Sequence, residues 1–326
     1  MRVALRPWRE GDAEAEVEAT FAPGDTARTI EDDETGAALG VIKCMPRRPG
    51  IGELAYWVSP QWRRRRVATT ALELFSAELL QERFQRLYVE TALANEASQR
   101  AAISAGFVRE GVSRGGAPAA DGSRQDTAVW ARLAGDPPGP SPRVLPDLPD
   151  GRLTDGVVAL RPIREDDGLV TYHMRNLPEV RGRSVVSTPP DPAVVARQCA
   201  ESMAKWLAGQ RAEMTIRRAD DDGYLGEIAL YYFEPALREA MIGYSLTPEA
   251  RGQGYAARAA RLVTGWGFEI GMNRMTAGTA TDNIASQRVL EAAGYTREVV
   301  QPQRLPGPDG TRIDNVAFAK LRPAAT

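Results

Sequence analysis

The sequence predicts an α/β (α+β) chain of two similar halves in tandem, and three observations carry that prediction. A glycine loop, Arg251-Gly252-Gln253-Gly254-Tyr255-Ala256, lies between the strand-like run Ala240 to Leu246 and a helix-like run from Tyr255 to about Phe268. Several motifs occur twice in a fixed register. A proline-rich stretch separates the two sets.

The opening strand Val3-Ala4-Leu5-Arg6-Pro7, followed by Arg9 and Asp12, recurs as Val158-Ala159-Leu160-Arg161-Pro162, followed by Arg164 and Asp167, at an offset of 155. Asn95-Glu96-Ala97-Ser98-Gln99-Arg100 recurs as Asn283-Ile284-Ala285-Ser286-Gln287-Arg288 at an offset of 188. That second register runs without a gap from Tyr56/Tyr244 through Ser59-Pro60/Thr247-Pro248 and Gly106-Phe107/Gly294-Tyr295 to Asp126/Asp314. The offsets differ by 33, so the first half lacks that many residues between its opening and central strands. In the second half this interval holds two helix-like stretches. One runs from Leu169 to Val180. The other opens at Asp191-Pro192, an N-cap followed by a first-turn proline, and sets Val194, Val195, Cys199, Met203, Trp206 and Leu207 on an apolar stripe. The first half has only Ala13 to Asp25 there.

From Ala134 to Pro149 prolines recur without apolar periodicity, which predicts an extended linker over the surface. The expected organisation is a truncated domain over 1–133, a linker over 134–155 and a complete domain over 156–322.

Glycines between a strand and a helix let the backbone approach an anion, and the first free helical N–H groups point at it. Such a loop also serves as a plain turn, and both readings stand on the loop alone. Asn283 and Ser286 fall one helical turn apart. Asn283 is a good helix cap, a role compatible with contacting a ligand.

The pattern Asn283-x-Ala285-Ser286-x-Arg288-Val289-Leu290-Glu291-x-Ala293-Gly294-Tyr295, with the glycine loop, Val158 to Pro162 and Asn176-Leu177-Pro178-Glu179-Val180, resembles the GNAT superfamily of acyl-CoA-dependent N-acyltransferases. It looks most like the branch that includes the ribosomal-protein N-terminal acetyltransferases. The resemblance implies two tandem GNAT folds, each a mixed, mainly antiparallel twisted sheet flanked by helices. It implies acetyl-CoA as acyl donor and a peptide or small-molecule amine as acceptor, with direct attack in a ternary complex. The strand ending near Leu246 would splay from its neighbour and pair with the pantetheine arm. Arg251, Gly252, Gln253, Gly254, Tyr255 and Ala256 would cradle the pyrophosphate, and Asn283 and Ser286 would face the pantetheine. Ser286 is the expected proton donor or hydrogen-bonding partner of the sulfur.

Two departures from the family pattern matter. Leu290 stands where many relatives have a tyrosine general acid, and Met241 stands where many have a glutamate base. Glu239, two residues earlier on the same strand face, and Glu227, on the preceding strand, are the candidate bases. The amine arriving already neutral is the alternative. In the first half Glu53 fills the base position, but the loop reads Arg63-Arg64-Arg65-Arg66-Val67-Ala68, and a side chain at Arg66 should crowd the approach that Gly254 permits. Four arginines still offer charge and forked hydrogen bonds to phosphate. The expected job of this half is structural, as one partner of an intrachain pseudo-dimer, in a monomer or a homodimer. A non-catalytic acyl-CoA sensor or scaffold is the competing function.

Composition agrees with a soluble globular protein. Apolar residues make up 43% and charged residues 26%, and the net charge of −2 offers no basic excess for nucleic acid. No run of 18 apolar residues predicts a membrane span, and the opening residues do not read as a signal peptide, so a cytoplasmic location is expected. Cys44 and Cys199 form no disulfide framework and read as small buried hydrophobes. With His173 as the sole histidine and no Cys-x-x-Cys, no metal site is expected. Its position beside the acceptor side keeps His173 a candidate acid–base, against a solvated role. Tyr231-Tyr232-Phe233 lines the acceptor groove or packs in the core.

Overall fold

A computed structural model describes residues 1–9, 11–12, 22–119, 121–185, 188–307 and 310–324, without the side chains of Phe233 and Glu234. Most of the segment Ala13 to Asp25 thus lies outside the described residues. The chain divides into two compact units, Met1–Pro142 and Arg143–Thr326.

The N-terminal unit contains β1 (Val3–Pro7), β2 (Thr26–Asp32), β3 (Ala38–Arg48), β4 (Ile51–Val58), helix α1 (Val67–Glu82), β5 (Arg86–Ala92), α2 (Glu96–Ser104), β6 (Val108–Pro118) and β7 (Arg124–Leu133). Its seven strands lie in the order β1-β2-β3-β4-β5-β7-β6. The pairings are antiparallel except for β4 with β5. Ile42, Leu54, Leu72, Phe75, Leu87, Phe107 and Trp130 are buried in it.

The C-terminal unit contains β8 (Leu153–Thr154), β9 (Val158–Pro162), α3 (Gly168–Asn176), α4 (Pro178–Arg181), α5 (Pro192–Ala200), α6 (Ser202–Leu207), β10 (Arg211–Arg218), β11 (Tyr224–Glu234), β12 (Glu239–Leu246), α7 (Tyr255–Glu269), β13 (Arg274–Ala280), α8 (Ile284–Ala292), β14 (Thr296–Pro306) and β15 (Arg312–Leu321). Its order is β14-β15-β13-β12-β11-β10-β9-β8, the same topology with one added edge strand. Again a single pair, β12 with β13, is parallel. Each sheet is mixed and mainly antiparallel, as predicted.

Two features position the site. Helix α7 buries Ala256, Ala259, Ala260, Val263, Trp266 and Gly267, a helical stripe whose small residues let it lie close on the sheet. A side chain at Gly267 would collide with Met275. The Trp266 ring meets that of Trp206, from α6, at 5.7 Å. The interval missing from the first half supplies α3 to α6, with Val195, Cys199, Met203, Trp206 and Leu207 buried as the stripe predicts and Val194 exposed. Asp191 caps α5 by accepting from Ala193 N at 2.7 Å.

The proline-rich stretch is less free than an extended surface linker. Ser141 donates its N–H to the Ile103 carbonyl at 2.9 Å, within the N-terminal unit. Leu145 and Leu148 are buried in the C-terminal core, and the Trp206 indole N–H donates to the Pro146 carbonyl at 2.9 Å. Among the described residues no helix is long and apolar enough to cross a membrane.

Candidate active site

Strands β12 and β13 pair only at Glu239/Arg274, Ala240/Met275 and Met241/Thr276. Past Met241, β12 stays with β11 as far as Leu246/Gly226, while β13 follows β15 to Ala280/Asn315. The two strands therefore part, and the β13-facing edge of β12 loses its ladder. β4 and β5 part in the same way after Glu53/Tyr88. The predicted splay is present in both units.

The glycine loop follows directly. One 3₁₀ turn, Pro248–Ala250, is anchored by buried Ala250. The Arg251 guanidinium donates back to the Leu246 carbonyl at 3.2 Å, and the Gln253 amide donates to the Glu249 carbonyl at 2.9 Å. Gly252 and Gly254 stand at φ +76° and +79°, a left-handed conformation that glycine adopts without strain, and a Cβ on either would meet open space. Among the described residues, the N–H groups from Gly252 to Ala256 make no loop or turn hydrogen bond. The Leu246 and Tyr255 side chains pack toward the core, so these residues offer a ligand chiefly their backbone. Consecutive free N–H groups at the start of a fifteen-residue helix fit a pyrophosphate.

Asn283 caps α8 by accepting from Ser286 N at 3.2 Å. The Ser286 hydroxyl lies 2.9 Å from that of Tyr244 on β12, where the strands part. Burial pushes the Tyr244 phenol up to about 12, so it stays protonated at neutral pH. Leu290, at the position where relatives carry a tyrosine, is buried in the core.

The two candidate bases are both ion-paired. Glu239 sits at the closed end of the splay, 3.1 Å from Arg274, which also binds Glu298. Glu227 receives Nε and Nη2 of Arg175 at 3.1 and 2.8 Å on one oxygen and the Tyr224 hydroxyl at 3.1 Å on the other. Arg175, on α3, further donates to Gln198 on α5 at 3.0 Å. Arg175, Gln198 and Tyr244 escaped the sequence reading because their partners lie 23 to 52 residues away on elements whose facing only the fold reveals, whereas Tyr224 meets Glu227 on its own strand.

The remaining predicted residues resolve by burial. Tyr232 packs in the core, while Tyr231 lies on the other face under the Arg211 guanidinium at 5.2 Å. The Phe233 side chain lies outside the described residues. Met241 is 36% exposed on the same strand face as Gly243. His173 is exposed beside the Tyr172 ring. The Cys44 and Cys199 thiols are buried and pushed up to about 11, which suits packing rather than nucleophilic work. Among the described residues no cluster of ligands suits a metal. In the N-terminal unit Glu53 accepts from Arg47 at 2.7 Å and the Tyr88 hydroxyl at 2.9 Å, and Arg63 to Arg66 are exposed.

A model of the acetyltransferase (GNAT) domain matches residues 5–108 and again 158–296. The chain is 35% identical over 110 residues to Probable N-acetyltransferase YjcK of Bacillus subtilis (strain 168), covering 33% of this chain and 60% of that protein. It is 32% identical over 109 residues to Uncharacterized N-acetyltransferase YoaA of the same organism, covering 33% and 61%. The chain thus spans about 60% of the length of these curated relatives. Among solved structures it is similar to Mycobacterium smegmatis RimJ in complex with CoA-disulfide, at 25% identity and a TM-score of 0.46 over 52% of this chain and 84% of that one.

Proposed function

The chain belongs to the GNAT acetyltransferase family, and from that premise we propose that its C-terminal unit transfers the acetyl group of acetyl-CoA to a primary amine, either a peptide N-terminus or a small-molecule amine. The observation that supports this best is the parting of β12 and β13 between a glycine loop with open N–H groups and a half-buried serine.

In this reading the backbone from Gly252 to Ala256 holds the pyrophosphate, with Arg251 adding charge, and the free edge of β12 up to Leu246 receives the pantetheine. Backbone N–H groups on that edge polarise the carbonyl. Bound acetyl-CoA supplies the thioester carbonyl. The amine attacks it, the C–N bond forms, the C–S bond breaks, and the proton leaving nitrogen balances the one gained by sulfur. Ser286 donates a hydrogen bond to the departing sulfur, and Asn283 fixes the helix that carries Ser286. Glu227 and Glu239 accept a proton only by weakening their contacts with Arg175 and Arg274, so the amine enters neutral or loses its proton to water. The reaction is direct, in a ternary complex, because neither thiol is a suitable nucleophile. The N-terminal unit serves as a structural partner.

The test is release of free thiol from acetyl-CoA with a panel of peptides and small amines. Amine-dependent release that Ser286→Ala lowers about a hundredfold supports the reading. Tight binding of acetyl-CoA with no release on any amine supports a non-catalytic sensor instead.

A further inference from the structure

We infer that Tyr244 is a positioning residue: its hydroxyl donates to Ser286 Oγ and so leaves the single Ser286 proton free to point toward the cleft between β12 and β13. The inference rests on the C-terminal unit being the donor site.

The geometry offers the phenol two acceptors, Ser286 Oγ at 2.9 Å and the Ser286 carbonyl at 3.2 Å. If the phenol donates to the carbonyl, the serine hydroxyl must donate to the tyrosine, and its proton is turned away from the cleft. If it donates to Oγ, the serine proton is released for an outside acceptor. The shorter contact is the second, and the carbonyl already lies within α8, where it serves the helical ladder. The Tyr244 ring is partly buried and packs against the core, which holds its hydroxyl beside Ser286.

The N-terminal unit holds the same pair of residue types, Tyr56 and Ser98, again facing each other. There the Tyr56 hydroxyl is buried and falls short of good hydrogen-bond geometry, and Ser98, like Ser286, is half-buried. A tyrosine at this place on the strand therefore fits the fold whether or not it is bonded. The well-formed contact, at 2.9 Å, is the one in the unit with the glycine loop.

Tyr244→Phe removes one oxygen and is tested with Ser286→Ala, the double variant and Tyr56→Phe as control. The readout is the acidity of the CoA thiol bound to each protein, followed by thiolate absorbance against pH, together with calorimetric affinity for CoA. A serine proton aimed at sulfur stabilises the bound thiolate. Tyr244→Phe should therefore raise the thiol pKa by about one unit, matching an about tenfold fall in kcat with KM for both substrates unchanged. In the Ser286→Ala background Tyr244→Phe should add nothing, and Tyr56→Phe should change neither quantity. An unmoved thiol pKa, or additive effects in the double variant, overturns the positioning role while leaving the donor site intact. Failure of CoA to bind the C-terminal unit overturns both.

Discussion

In the N-terminal unit the turn before α1 sets Arg64 and Arg66 at φ 59° and 63°; in the C-terminal unit the turn before α7 sets Gly252 and Gly254 at 76° and 79°. Even the anchoring bond is shared. Arg63 donates to the Val58 carbonyl at 3.0 Å where Arg251 donates to that of Leu246. The backbone turn thus survives full replacement of its glycines. What differs is what the turn can admit: bare N–H groups in one unit, a crowd of guanidinium groups in the other. The acceptor side differs in the same sense. In strand register Val41, buried opposite Trp57, stands where Glu227 stands opposite Ser245. The same backbone fold therefore carries two different sets of side chains at equivalent places.

The largest expected effect comes from copying one loop into the other. Gly254→Arg should weaken acetyl-CoA binding in calorimetry by about a hundredfold through loss of backbone hydrogen bonds to phosphate. Undiminished binding would mean that the arginine loop is an equally good site and the contrast fails. Next, Arg175→Met strands Glu227 and should lower the urea stability of the C-terminal unit by about 2 kcal/mol. Adding Glu227→Val, the residue of the other unit, should restore most of that loss.

Acid tests the N-terminal unit by itself. Asp12 is held well below the usual carboxylate range, first by hydrogen bonding from Arg6, then from Thr29 and the Arg9 N–H. A depressed folded pKa contributes stability above the unfolded value, about 3.9, that is lost as pH falls toward the folded one. Unfolding of the N-terminal unit should thus become easier below about pH 4, and Asp12→Asn should flatten that slope. Smaller still, Arg66→Gly should stabilise the N-terminal unit by up to about 1 kcal/mol by relieving left-handed backbone strain. The smallest change belongs to Asp282, whose ion pair with Arg183 leaves side chains 68% and 50% exposed. Asp282→Ala, which copies Ala94, should shift stability by no more than about 0.5 kcal/mol, and salt should erase the difference.

Much of this was legible in the residues. The duplicated opening strand and the aspartate after it were legible as a repeat, though the ion pairs they make, Arg6 with Asp12 and Arg161 with Asp167, were not read. The glycine loop and the Asn283 cap are local and were legible too. The Arg175–Glu227 pair was not legible, because an inserted helix brings it together across 52 positions. Nor was the register of the third strand. Gly40 and Gly226 are equivalent by pairing with Val58 and Leu246, an offset of 186 rather than 188, and at both a side chain would strike a neighbouring carbonyl. The left-handed arginines defied propensity because the flanking strand and helix fix the turn whatever its residues.

The buried leader of the C-terminal unit has its own consequence for how the chain can be divided. A piece that starts at the repeat itself, near Gly156, would surrender Leu145, Leu148 and the carbonyl that receives the Trp206 indole. A piece that starts at Arg143 would keep them, along with the Arg143–Asp147 pair. The heritable module is therefore longer than the motif that repeats, and a gene split at the motif boundary would yield a protein with an open seam beneath its central tryptophan.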